Sequence, residues 1–434
     1  MSTRGSGIPS RVPALTVSWA LAALLVAATP SAAQGPSAPA LSLQELVREA
    51  LERNPEVQMA ARMVESKRAR VGQAGALPDP MVMYGVINEG RPIPFQTLGE
   101  RDFSEVYVGV SQDFPYPGKR GLRTQAAQEE VAAEEAAYEA VRRRVTADVS
   151  EAYYDRFAVH AALDIVEQNR QLLEQFTKVA ATRFSVGQAT QQDVLDAEVE
   201  VSRLEERRSQ LEERRAIVEA RLASLLFKGA DATWGQPAAV TEKALGAGLD
   251  ELLARAEEES PVLRGKGRLV TSGERKLDLA RRDKRPDLSF NFIYHNRGGI
   301  DPFYTFGGTI TLPNLHGKQK RAIEEAAADL AGARSGADAA RTEVRYAVTE
   351  AYRKATTASR LLRLYEEGIL KQARLSLDSA TAQYRVGRVD FLTLITSWRR
   401  LLDYDLMYQE QLAEHEKALA RLAVHVGASS GAGE

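Results

Sequence analysis

Cysteine is absent from the 434 residues. That excludes a disulfide framework, thiolate metal sites, a cysteine nucleophile and the N-terminal cysteine that a bacterial lipid anchor requires. Charge of one sign is almost absent as well: 57 Lys and Arg against 59 Asp and Glu leave a formal −2, which provides no basic footprint for nucleic acid. Proline is missing between Pro117 and Pro237 and again after Pro313. Aromatics make up only 7% of the chain, yet they cluster in two windows, residues 81–116 and 288–313. Catalytic constellations are lacking too. His160, His295, His316, His415 and His425 have no metal-ligand spacing, and there is no H-E-x-x-H, P-loop or nucleophile elbow. The chain is therefore expected to be no enzyme and to need no metal or cofactor, and His295 and His316 are read as lone surface histidines.

Export is written into the first thirty residues. Arg4 and Arg11 precede an uncharged run from Val12 to Ala28, followed by Thr29-Pro30-Ser31-Ala32-Ala33, the pattern of a cleaved secretory signal over 1–33. Nothing further along approaches the roughly 20 apolar residues of a spanning helix. The mature chain is thus expected in the periplasm, the medium or the outer membrane.

The remainder is duplicated at an offset of roughly 200 residues. LSLQELVREALERNPEV is matched by LDELLARAEEESPVL, Pro78-Asp79 by Pro286-Asp287, Pro115 with Gly118-Lys119 by Pro313 with Gly317-Lys318, and VSEAYYDR by VTEAYRKA. Arg183-Phe184-Ser185-Val186-Gly187 is echoed by Gln383-Tyr384-Arg385-Val386-Gly387. The expected organisation is a first repeat over 34–237, a second over 238–426 and a tail over 427–434, each repeat holding a short helix, two strands and a long helical hairpin.

Period-2 alternation marks the strands. Leu288, Phe290, Phe292 and Tyr294 alternate with Ser289, Asn291, Ile293 and His295, and Tyr304, Phe306 and Ile310 alternate with Thr305, Gly307, Thr309 and Thr311. Val106, Val108, Val110 and Phe114 form the matching stripe in the first repeat, with Met81 to Ile87 the least regular of the four. A soluble sandwich edge would alternate in the same way, but the aromatic enrichment on an exported chain favours membrane strands. Pro115, Pro117 and Gly118, then Pro313 and Gly317, mark the passage from strand to helix. The proline-free stretches carry the 3/4 spacing of coiled-coil seams, with a helix from about 119 to 185 outbound and another returning, broken by Arg156, Arg170, Arg208 and Arg215.

The helices of each hairpin turn near Gly187 and Gly387. Thr190 to Asp193 has capping-box spacing, and Asp390 suits an N-cap. Asp193, Asp196 and Asp390 therefore fit two roles at once: carboxylates at the positive end of a returning helix, and acids that charge the mouth of a channel when repeated around a ring.

The signal segment, the duplicated unit and the turn motif Phe184-x-Val186-Gly187 through Asp193-Val194-Leu195-Asp196 resemble the TolC-type outer-membrane efflux family over essentially the whole mature chain. Thr393 and Thr396 stand where that family can place acids. The resemblance implies a mainly α fold with a small β part. In it, duplicated coiled-coil hairpins build a periplasmic α-barrel, and four strands per chain contribute to a twelve-stranded barrel shared by a homotrimer in outer-membrane lipid. It implies a passive duct serving a periplasmic adaptor and an inner-membrane pump. Arg183, Val186, Gly187, Arg385, Val386 and Gly387 would contact the adaptor, and Asp193 and Asp196 would gate the tunnel. Pro78-Asp79-Pro80-Met81 and Ser111 to Lys119 resemble the heavy-metal cation efflux branch. Two alternatives stand beside this reading: a periplasmic adaptor, which carries one hairpin where two occur here, and the duct of a type I secretion system. An extracellular coiled-coil scaffold would leave the aromatic strands unexplained.

Overall fold

The computed structural model describes residues 41–90, 92–229, 231–313 and 317–427; the expected signal segment, His316 and the tail from 428 lie outside them. The first half runs α1 (Leu43–Arg53), α2 (Pro55–Gly75), β1 (Met81–Ile87), β2 (Glu105–Phe114), α3 (Lys119–Ser185) and α4 (Gln191–Leu225). The second runs α5 (Leu249–Glu259), α6 (Pro261–Arg282), β3 (Asp287–Asn296), β4 (Phe303–Thr311), α7 (Lys318–Leu364), a π-helical turn (Tyr365–Ile369), α8 (Leu370–Arg385) and α9 (Phe391–Val426). In each half a strand pair is followed by a long helical hairpin. Two helices, however, precede each strand pair where the sequence suggested one. The break falls at Asn54-Pro55 and Ser260-Pro261, where proline forces the preceding residue to extended backbone and itself starts the next helix.

The strands form an antiparallel sheet in the order β1-β2-β3-β4. Its register places Val108 beside Tyr294 and Tyr294 beside Tyr304 on one face, and Tyr107 beside His295 and His295 beside Phe303 on the other.

At 67 residues, α3 is about 100 Å long at 1.5 Å per residue. A rod of that length cannot share one core, and three separate apolar clusters are spaced along the helices. One joins the two hairpins through Leu173, Phe176, Ala197, Leu204, Phe391, Leu394 and Trp398. A second packs α1 on α3 through Leu46, Ala50, Val145 and Val149, and a third packs α5 on α7 and α9 through Leu252, Ala256, Val344 and Val348. Asn54 splices the helices at mid-height. Its side-chain oxygen accepts from the Glu56 N–H at 2.8 Å, capping α2, while its amide donates to the last-turn carbonyl of Leu225 at 3.1 Å, so α4 ends where α2 begins. In the second repeat Arg255 serves the corresponding end, donating to the Val426 carbonyl at 3.3 Å.

The π turn has a counterpart in the repeat register. Val149 to Tyr153 matches Val348 to Tyr352 at an offset of 199, but the tip Val186-Gly187 matches Val386-Gly387 at 200. The second outbound arm thus holds one residue more, and the π turn lies inside the interval where it must have entered. A π turn absorbs a single extra residue without rotating the helix beyond it. Deleting Gly368 should therefore leave a regular helix with an unchanged midpoint of thermal unfolding. Deleting Glu167 from the uninterrupted α3 turns the distal segment by about 100° and should lower the midpoint by many degrees. Equal losses for the two deletions, monitored by circular dichroism, would refute the register argument.

Candidate functional site: the hairpin tips and the sheet faces

Local chemistry sets each tip. Gly187 and Gly387 adopt φ of 73° and 74°, the left-handed cap that ends an outbound helix. In the first tip the Thr190 hydroxyl lies 2.9 Å from an Asp193 oxygen and accepts from the Asp193 N–H at 3.3 Å, while the Thr190 N–H donates back to Asp193 at 3.4 Å. This is a complete capping box. Asp390 caps α9, accepting from the Thr393 N–H at 2.9 Å. Bonds from the Thr393 hydroxyl and then the Thr393 backbone hold its carboxyl below the usual aspartate range. The capping role expected of Asp193 and Asp390 is therefore present. Asp196 is not a cap; it accepts from the Gln192 amide at 3.0 Å.

The two tips are tied to one another. Arg183 of α3 donates to the Tyr384 carbonyl and to the Gln188 carbonyl, and its guanidinium lies 4.8 Å from the centre of the Tyr384 ring. Burial pushes the Tyr384 phenol up, with the Asp193 carboxylate adding to the shift. Seven residues past Asp193, Glu200 is buried and receives Arg399 of α9 through both its oxygens, Arg399 Nε lying at 2.9 Å, and also Arg203 at 2.9 Å. Arg207 reaches Asp403 at 3.2 Å one turn higher. Of the six expected adaptor contacts, Val186, Gly187, Arg385, Val386 and Gly387 are exposed. Arg183 is half-buried and turned toward the second hairpin.

At the opposite end, Gly118 and Gly317 start α3 and α7 with φ of 90° and 70°. The Pro117 carbonyl accepts from Arg282 at 3.3 Å, so the first junction is fastened to the second repeat. Pro115 directly follows β2, and Pro313 lies two residues past the end of β4. The sheet separates two chemistries. Val82, Tyr84, Val108, Val110, Phe290, Phe292, Tyr304, Phe306 and Ile310 share one face and are all exposed, Tyr84 to 85% and Phe306 to 79%. An apolar face left this bare suits lipid. The other face carries Ser111, Asp113, Ser289, Asn291, Thr305, Gly307 and Thr309.

His295 corrects the sequence expectation, because it is buried on that polar face. Its Nδ1 lies 2.7 Å from Glu105 and its Nε2 3.0 Å from the Thr305 hydroxyl, and the ring stacks on Phe303 at 4.2 Å. Arg156 is another departure. Instead of breaking a seam it is buried within one, bonded to Glu219 at 3.2 Å. Neither partner is near in sequence, so only strand and helix register reveals them. Among the described residues no cluster of three or more metal-ligating side chains occurs, and no helix is long and apolar enough to cross a membrane.

Residues 46–226 match the family model described as outer membrane efflux protein. No curated protein matches the chain. Among solved structures it is similar to the outer membrane protein VceC of Vibrio cholerae, with a TM-score of 0.74 and 19% identity over 89% of this chain and 96% of that one. It is also similar to CusC, with a TM-score of 0.77 and 16% identity over 89% and 92%. The open state of the MtrE outer membrane channel of Neisseria gonorrhoeae gives 0.73 and 18% over 89% and 88%. At these identities the structures establish the fold: a helical barrel portion joined to a β-barrel portion.

The Asp390 cap has a pH signature. A carboxyl held below its ordinary range stabilises the fold fully above that range, and the contribution is lost as pH falls through the folded-state value. Asp390→Asn should therefore flatten the loss of tip protection seen below about pH 3.9 in hydrogen exchange of residues 386–395. An unchanged acid profile would remove the cap from the account.

Proposed function

We propose that this chain, whose residues 46–226 match the outer membrane efflux protein model, is a member of that family and that three copies assemble into one passive duct of a tripartite efflux system, receiving cargo from an inner-membrane pump through a periplasmic adaptor. It is an outer-membrane channel component and not an enzyme. The observation that carries the trimer is the open sheet. Four strands cannot close a barrel, β1 and β4 each keep a free edge, and the apolar face is bare. Three copies supply twelve strands, with the polar face lining the lumen.

The tips take the adaptor and the gate. Val186 and Val386, 63% and 69% exposed, offer small apolar knobs beside Gly187, Gly387 and Arg385, while Arg183 holds the two tips together. Asp193 and Asp196 charge the mouth. With Thr393 and Thr396 in the second repeat, the acids form a ring of three stations in the trimer, Asp390 adding a cap carboxylate to each. The Asp193→Ala, Asp196→Ala double variant should raise single-channel conductance in planar bilayers and weaken block by polyvalent cations. Unchanged conductance and block would leave these residues without a gating role.

Metal cations are the finer reading of the cargo. It rests on Pro78-Asp79-Pro80-Met81 and on the segment Ser111 to Lys119, which resemble the heavy-metal branch. A strain lacking the chain should lose tolerance to graded transition-metal salts while keeping its tolerance to organic dyes; loss of dye tolerance alone would shift the cargo to drugs.

A further inference from the structure

Within the chain, the two repeats meet along a seam between α3 and the α6–β3 segment, and that seam has an unfilled twin. Lys119, only 2% exposed, places Nζ 2.9 Å from Asp287 and donates to the Arg285 carbonyl at 2.9 Å. Lys276 of α6 lies 2.6 Å from Glu130 of α3. Gly265 approaches so closely that a Cβ there would sit 3.4 Å from the Ala133 carbonyl oxygen and 3.5 Å from the Ala136 Cβ.

The structure itself fixes how the repeats correspond. Arg334 and Glu274 pair at 2.9 Å across α7 and α6, and the same two positions in the first repeat hold Glu135 and Arg68, paired at 2.6 Å with the signs exchanged. The register so defined maps α6 onto α2 at an offset of 206 and α7 onto α3 at 199. It carries Lys119 to Lys318, Lys276 to Arg70 and Glu130 to Asp329, and the matching Pro-Asp corners carry Asp287 to Asp79. All four target residues are exposed and form no ion pair among the described residues. Glu130 is held by two cations, Lys67 of α2 and Lys276 of α6. At Asp329 the position corresponding to Lys67 is Gly273, so the inner cation is missing and only the outer one can arrive. Size is complementary too. Gly265 maps to Met59, 64% exposed, and Ala133 maps to Gly332, where an added Cβ meets nothing within 4 Å.

We infer that α2 and the α2–β1 corner of one copy seat on α7 of the next as α6 and the α6–β3 corner seat on α3 within a chain. Lys318 then binds Asp79 of the partner subunit, and Asp329 binds Arg70 of the partner subunit. Met59 of the partner subunit fills the space above Gly332. The occupant is a second copy of this chain, because only that copy presents cation, anion and bulk in the order the internal seam uses. The inference rests on the trimeric reading and adds its contacts.

The absence of cysteine makes the test clean. Ala136 maps to Ser335, and a Cβ–Cβ distance near 3.5 Å is within disulfide reach, so Met59→Cys with Ser335→Cys should lock neighbouring copies. Oxidised outer-membrane preparations should then run mostly as a covalent trimer on non-reducing gels and return to monomer with reductant, while each single variant forms no trimer. Separately, Asp79→Lys should lower the oligomer fraction about tenfold, and adding Lys318→Asp should restore it. Native mass spectrometry of the unmodified protein separates the two failures. A monomer there defeats the trimeric reading itself. An intact multimer whose double-cysteine form stays uncross-linked, and whose charge reversal is not rescued by the swap, overturns the seating.

Discussion

Unsatisfied backbone at a strand edge is the constraint on which this architecture depends. In hydrocarbon every N–H and C=O must find a partner within protein, because lipid offers none and each orphan costs several kcal/mol. The sheet satisfies its inner strands and leaves β1 and β4 open. Its aromatic face can enter the membrane only if those edges are closed by further copies. Closure then fixes the rest: α2 and α6 lead into strands through Pro-Asp corners, and α3 and α7 follow strands through corners that begin with proline and end in Gly118 and Gly317, so a closed ring of strands would arrange the helices in a ring beneath it. On the trimeric reading, the tunnel is in this sense a consequence of the hydrogen bonding of four short strands.

The helical part obeys a different logic. Rods about 100 Å long expose too much surface for one core, and stability is distributed as three apolar clusters linked by buried polar ties. Arg156, bonded to the partly exposed Glu219, and Glu200, bonded to the partly exposed Arg399, each hold one charge out of water. A buried ion pair gains little net stability over a hydrophobic isostere, but breaking one partner is costly, so such pairs resist sliding of one helix along another. Long seams with repeating alanines are prone to that error, since a shift of one turn preserves the stripe.

The features legible in the sequence were those with short-range causes. Strand positions came from side-chain alternation, the ends of α3 from Gly118 and Gly187, and the tip caps from Thr190, Asp193 and Asp390, each a matter of a few neighbouring residues. The features missed were those set by register between distant elements. His295 meets Glu105 only because β2 and β3 pair as they do, Arg183 meets Tyr384 only because the two tips abut, and Arg399 meets Glu200 across a span of 199 residues. The π turn is intermediate. The one-residue change in repeat offset is visible in the sequence, but the position that absorbs it is not; it falls at the turn that begins with Tyr365, whose ring lies 6.2 Å from that of Tyr404.

The two repeats are equivalent at one end and unequal at the other. Near the membrane they must be interchangeable, since a barrel of alternating strand pairs tolerates little difference in tilt or spacing, and the shared Pro-Asp and Gly-Lys corners reflect this. At the tips the demand is reversed. Asp193, Asp196 and Glu200 succeed one another at three and four residues and so lie along one face of α4, while the second repeat offers Thr393, Thr396 and the cation Arg399. A mouth built from identical tips would carry six like stations that repel each other equally in every arrangement. Unequal tips let an acidic arm rest against a basic one within a chain, as Glu200 does with Arg399.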